Sequence, residues 1–265
     1  MSITANANGN DLTKEKPHYI KRIGCDLISG FTAGFSVAPF VTIIDKGITQ
    51  NASGANTLWK SIGVSTKSFV FKPAAFIVKP EFRWIFAVYF STYSSANLIS
   101  TFCTSYNINP DFPKFIGVSV VNLTMSISKD RAFARLFGTK TPEKVPMKSI
   151  TIWCVRDCLT ILCAFVIPPK MSSYMQRRFG MKKGKSDKIS QIFCPVLLQV
   201  FSTPLHLLGL DIYNNRNSNL KNRISFIRRE YVKSCCARMM RILPAFGLGG
   251  IANGIYREYF NCRLI

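Results

Sequence analysis

Histidine is nearly absent from this chain, with only His18 and His206 among 265 residues. There are nine cysteines, and no two of them form a Cys-x-x-Cys pair. Together these scarcities exclude a zinc site of ordinary ligand spacing. No Ser/His/Asp set or paired carboxylates can be picked out, and Gly247-Leu-Gly-Gly250 follows no strand, so it is not a phosphate-cradling loop. An enzyme is therefore not expected, and no cofactor is implied. Acids are also scarce: 13 Asp and Glu stand against 35 Lys and Arg, a formal net charge of +22. The first 21 residues contain no arginine and no apolar run, and they carry Asp11 and Glu15. They are expected to act neither as a secretory signal nor as a cleavable presequence, which leaves any targeting information internal.

What is present is apolar sequence in blocks. Hydrophobic residues make up 48% of the chain, and they concentrate at about Ile23–Ile44, Phe82–Cys103, Phe115–Ser128, Ile150–Ile167, Ile189–Leu210 and Met239–Phe260. A bilayer-spanning helix needs about 20 mainly apolar residues, so these six blocks predict six spans. The mean hydropathy of +0.15 is low for a polytopic protein and fits one with long polar connectors and a wet cavity. Leu58–Val78 is semi-apolar and broken by Lys60, Lys67, Lys72 and Pro73, which predicts a helix lying along the membrane surface. Lys170–Lys188 reads as a basic loop and Asp211–Lys233 as an amphipathic connector. Asn51-Ala-Ser-Gly54 reads as a plain turn. Bases flank the apolar blocks on both sides instead of gathering on one face. That pattern points to an anionic lipid such as cardiolipin and away from nucleic acid. Most cysteines lie in or beside the blocks and read as small apolar residues.

The first block contains Gly30-x-x-x-Gly34, a face that lets helices approach closely, and it ends in Asp45-Lys46. Two later segments end in a related way. Ile43-Ile-Asp45-Lys46 aligns with Ser128-Lys-Asp130-Arg131 and with Pro204-Leu-His206. The even blocks add Pro80-x-x-Arg83-x-x-Phe86-x-x-Tyr89 and Arg241-x-x-Pro244-x-x-Gly247-x-x-Gly250. In these features the chain resembles the mitochondrial carrier family, whose three hairpins each carry a proline-x-acid motif at the end of the odd helix. One repeat keeps the proline, Pro204, and His206 replaces its acid. Five residues past the proline position, where the family has a base, stand Ile48, Phe133 and Gly209. The resemblance implies an all-α membrane protein with six transmembrane helices as three pseudo-repeated hairpins, at about 22–104, 112–169 and 189–262. These would form one domain, 22–265, behind a polar tail, 1–21. It also implies the mitochondrial inner membrane, and a gate in which Lys46 and Arg131 stand in for the missing bases beside Asp45 and Asp130.

Ionisable groups inside a span are costly and mark functional candidates. Arg156-Asp157 in the fourth block is the clearest pair. Adjacent helical residues point about 100° apart, so the two can present a cation and an anion to one cavity, or pair with neighbouring helices. Arg241 and Arg83 near the starts of even blocks are substrate contacts or residues that snorkel to an interface. The expected function is transport of a small anionic or zwitterionic solute by alternating access. The alternative is a carrier-fold protein that serves as a membrane scaffold or assembly factor.

Overall fold

The computed structural model describes residues 11–138, 144–163, 167–242 and 249–264. Over those residues the chain forms ten α-helices and no strand, as the all-α expectation requires. They are α1 Asp11–Ser53, α2 Leu58–Phe71, α3 Pro73–Ile77, α4 Pro80–Ser105, α5 Asp111–Phe137, α6 Met147–Ile161, α7 Ile167–Phe179, α8 Lys183–Asn214, α9 Leu220–Ile242 and α10 Gly249–Leu264. With 43 residues α1 is about 64 Å long, well beyond a hydrocarbon core of about 30 Å. Among the described residues two stretches are long and apolar enough to cross a membrane, Tyr19–Ser53 and Lys183–Asn214. Helices α4 and α5, with 26 and 27 residues, have the length but are not among them.

The helices pack in chain order: α1 against α4, α4 against α5, α5 against α6, and α6 against α8. Helix α9 packs on both α8 and α1, and α10 returns to α1, so α1 is the seam at which the bundle meets itself. Two glycines make that seam possible. A Cβ on Gly34 would come within 2.9 Å of the Phe90 backbone nitrogen, and one on Gly30 within 2.9 Å of that of Ser94. Phenylalanines flank this contact, with the Phe31 and Phe86 rings edge to face at 5.1 Å and the Phe35 and Phe82 rings at 5.7 Å.

The distribution of polarity is inverted relative to a soluble domain. Fully buried positions include Asp26, Ser29, Thr42, Ser202, Thr203 and Ser234, while Phe31, Phe40, Phe112 and Phe201 are exposed. Isolated exposed apolar residues are ordinary, but whole faces of them beside a polar interior fit a lipid surround. Many of the hydroxyls satisfy themselves on the helix that carries them. Ser29, Thr32, Ser36, Thr42 and Thr49 of α1 each donate to the carbonyl four residues earlier.

Several connectors differ from expectation. The basic stretch Lys170–Lys188 is mostly helical, because α7 runs to Phe179 and α8 begins at Lys183, with Gly180 at φ +62° in the turn between them. Arg177 and Arg178 in the last turn of α7 face its negative dipole end. Helix α8 continues to Asn214 and α9 begins at Leu220, so the connector after the fifth block is a short turn followed by a long helix. Helix α1 starts at Asp11, within the polar tail. The surface segment after α1 is two helices, parted at Lys72 by Pro73, which occupies the first position of α3. Gly54 turns the chain at φ +79°, and Asn51 caps the next helix by accepting from the Leu58 N–H at 3.1 Å. Pro244 and Gly247 of the sixth block lie outside the described residues.

The crossing of α1 on α4 gives a paired test. Gly34→Ala should destabilise by about 1–3 kcal/mol through overpacking, lowering the melting midpoint in detergent by several degrees. Gly24→Ala meets nothing within 4 Å and should leave the midpoint unchanged or slightly raised. Equal effects from the two variants would show that the close approach does not matter.

Candidate functional site

Five helices bring ionisable side chains to one buried place. Asp45 of α1 accepts from Lys129 Nζ of α5 at 2.8 Å and from Arg241 Nη1 of α9 at 2.5 Å. Lys129 also pairs with Asp130 at 2.6 Å, and Asp130 with Arg156 Nη2 of α6 at 2.6 Å. Arg156 donates through Nε to Asp157 Oδ1 at 2.8 Å, and its Nη1 lies 2.7 Å from His206 Nδ1 of α8. A guanidinium has no acceptor. His206 therefore receives this bond on an unprotonated Nδ1 and is neutral, with its proton on Nε2.

Local sequence explains which side chains reach the cluster. Of the adjacent residues Asp45 and Lys46, which point about 100° apart, only Asp45 joins it. Lys46 turns to Glu81 of α4 at 2.9 Å and lies over the Phe137 ring. Lys129 and Asp130 are both buried, and the next residue, Arg131, is exposed. Pro204 sits half-buried inside α8. Its missing N–H leaves the carbonyl of Val200 without a helical donor, and the Tyr231 hydroxyl of α9 donates to that oxygen at 2.9 Å.

A cavity of about 200 Å³ opens against the cluster. It is lined by Asp45, Lys129, Arg156, Asp157, Arg238 and Arg241 on the charged side, and by Tyr89, Thr92, Tyr93 and Asn122 beyond them. Around it stand four buried or partly buried cations, Lys129, Arg156, Arg238 and Arg241, against three carboxylates, Asp45, Asp130 and Asp157. Removing such groups from water is expensive unless every one is paired, and a bundle that needed only stability would be better served by apolar packing there. Among the described residues no cluster suits a metal ion.

Beyond the cavity along α4 lies a second polar network. Asp26 of α1 is fully buried and accepts from Arg257 Nε of α10 at 2.7 Å. Arg257 Nη2 donates to Thr101 Oγ1 at 2.8 Å, and the Thr101 hydroxyl donates to Asp26 Oδ2. Asn97 and Asn253 exchange amide hydrogen bonds at 2.9 Å. Asp26 and Asp45 lie about 28 Å apart along α1, with the cavity between them.

A family model described as "Probable citrulline exporter" matches residues 29–261. The chain belongs to this family. Its description is that of an exporter and not of an enzyme. No curated protein and no solved structure matches the chain. The family assignment corrects the resemblance to mitochondrial carriers, which is a different family, and the mitochondrial inner membrane implied by that resemblance goes with it. The resemblance rested on three acid or acid-like positions in register and on proline, aromatic and glycine spacings in the even blocks, patterns that a helical bundle of another family can also carry.

Of the residues singled out from sequence, Asp45, Asp130, Arg156, Asp157, His206 and Arg241 meet in one cluster. Arg83 and Arg131 are exposed and lie outside it. Sequence reasoning missed Lys129, Arg238, Gln199 and the Asp26–Arg257 pair. Lys129 was visible as a third charge beside Asp130-Arg131. Arg238 fell between the connector Asp211–Lys233 and the block that starts at Met239, and so belonged to neither segment.

Asp45→Asn leaves Arg241 without its only carboxylate partner among the described residues and weakens Lys129. A cost of about 3–5 kcal/mol is expected for breaking a buried pair from one side, read as a fall in melting midpoint on the order of 10 °C. Arg83→Ala should shift it by less than about 2 °C. An Asp45→Asn protein as stable as the wild type would mean that the cluster does not hold the helices together.

Proposed function

We propose that this protein is a multi-pass membrane exporter of a small zwitterionic amino acid of the citrulline type. The observation that carries this reading is the buried, densely charged cluster around a cavity of about 200 Å³, in a chain of a family described as a probable citrulline exporter. The cavity is smaller than the roughly 300 Å³ at which drug-sized sites begin, which suits a short amino acid. Citrulline carries an α-ammonium, an α-carboxylate and an uncharged ureido group. Asp157 Oδ2 is buried with no hydrogen-bond partner and is the natural acceptor for the ammonium. Tyr89, Thr92 and Asn122 offer neutral hydrogen-bonding groups for the ureido end.

In this reading the six apolar blocks are six spans in three related hairpins arranged around the cavity. The two polar networks are closures at its opposite ends. Breaking the Asp45–Lys129 and Asp45–Arg241 pairs would part α1 from α5 and α9, and breaking Asp26–Arg257 would part α1 from α10. Opening one while the other holds is alternating access. A solute that completes the coordination of the cavity in passage lowers the cost of each rearrangement, since a ligand shifts such an equilibrium only by its differential affinity.

Efflux from liposomes containing the purified protein and loaded with labelled citrulline tests the proposal. Wild type should release the label at a rate that saturates with its internal concentration. Asp157→Asn should slow release by at least about tenfold, as loss of one charged hydrogen bond does. A folded, membrane-inserted protein that moves neither citrulline nor any other neutral amino acid would sink the proposal and favour a scaffold.

A further inference from the structure

Arg238 stands apart within the cluster. It is 3% exposed and lines the cavity, yet among the described residues no carboxylate oxygen lies within ion-pair distance of it. Lys129 holds Asp45 and Asp130, Arg156 holds Asp130 and Asp157, and Arg241 holds Asp45. Arg238 has only neutral partners. Its Nε donates to Gln199 Oε1 at 3.1 Å, and its Nη2 to Ser202 Oγ at 3.4 Å. Those partners are themselves held in place. Gln199 Nε2 donates to the Pro195 carbonyl at 3.0 Å, and Ser202 Oγ donates to Gln199 Oε1 at 3.3 Å. The guanidinium is thus fixed from one edge by α8, with three of its five N–H groups left over.

A buried cation without an anion is among the most expensive features a fold can carry. Here it sits in a fixed orientation beside a cavity, in a fork geometry that matches a carboxylate with two parallel hydrogen bonds. We infer that Arg238 is the docking group for the carboxylate of the transported solute, with Gln199 and Ser202 as its positioning residues. This inference rests on the amino-acid reading above and adds the end of the solute that selects it. Asp157 across the same cavity takes the ammonium, so the pair reads the α-carbon substituents together. The cations outnumber the carboxylates, and that excess disfavours a solute whose side chain brings a second positive charge.

The experiment is thermal unfolding of the full-length protein in detergent, titrated with citrulline and with citrulline amide, whose carboxylate is neutralised. Wild type, Arg238→Gln and Arg238→Lys are compared, since a ligand of the native state raises the midpoint by mass action. Wild type should respond to citrulline at concentrations at least about tenfold lower than to the amide. Without ligand, Arg238→Gln should melt at the wild-type temperature or a few degrees above it, because an unpaired buried charge has been removed. A purely structural arginine would give a drop. Arg238→Gln should also lose the preference for citrulline over the amide, and Arg238→Lys should keep part of it.

A preference in Arg238→Gln equal to that of wild type would overturn the inference and leave the transport reading standing. Should Arg238→Gln fail to fold, Arg238→Lys decides, because an undiminished preference there removes any role for the guanidinium fork. A wild type that responds to no amino acid, citrulline included, overturns both readings. A wild type that ignores citrulline but binds another neutral amino acid with the same dependence on Arg238 overturns only the citrulline assignment.

Discussion

The carboxylate of Asp45 is the constraint on which the rest depends. It takes Lys129 from α5 and Arg241 from α9, so one side chain of α1 ties together helices from the beginning, middle and end of the chain. The tie extends without a break through Asp130 and Arg156 to His206 of α8. Interior charges force this connectivity. Each has to meet an opposite charge or a hydrogen-bond partner of its own once water is gone, and in a lipid surround the groups cannot turn outward instead. The same demand accounts for the neutral form of His206, which accepts where a protonated ring would confront Arg156.

A network of this kind is a poor way to make a bundle stable and a good way to make it bistable. Pairs between helices can be exchanged for other pairs, or for pairs with a solute, at small net cost, whereas close-packed apolar contacts cannot. The apolar cores lie to either side of the charges. Val41, Ile85, Phe82 and Phe133 form one cluster, and Trp153, Leu207 and Leu210 form another. In the proposed cycle they would hold the elements together while the charged layer exchanges partners. The second network, at Asp26 and Arg257, gives the opposite end of α1 the same option.

The comparison of α1 with α4 shows how apolar and polar constraints share one interface. Gly30 and Gly34 bring the two backbones together at mid-helix, with phenylalanines stacked on the outer side. Toward the two ends the interface turns polar, with Lys46–Glu81 at one and Asp26–Thr101 at the other. Tight packing in the middle and exchangeable contacts at both ends are what the proposed opening of the bundle at either end of α1 would need.

Composition and spacing were enough to read the all-helical class, the Gly30–Gly34 face, and the ionisable residues Asp45, Asp130, Arg156 and Asp157 as the ones to watch. Each of these follows from a cost that any surroundings would impose, such as an ionisable group in an apolar run or a β-carbon missing from a helix face. Partners were not legible in the same way. Lys46 and Arg131 adjoin the right acids, but Lys46 pairs with Glu81 and Arg131 is exposed, whereas Lys129 and Arg156, also next to acids in sequence, join the cluster. The bases that complete the cluster come from Lys129, Arg156 and Arg241 on separate helices. Nor could the chain alone distinguish Arg238, with its neutral partners, from the paired Arg241 three residues later. Which cation is left without an anion depends on what five helices bring to one point. Sequence determined that charges would be buried, and tertiary structure decided which of them are already matched, because burial is a property of each segment and pairing is a property of the whole bundle.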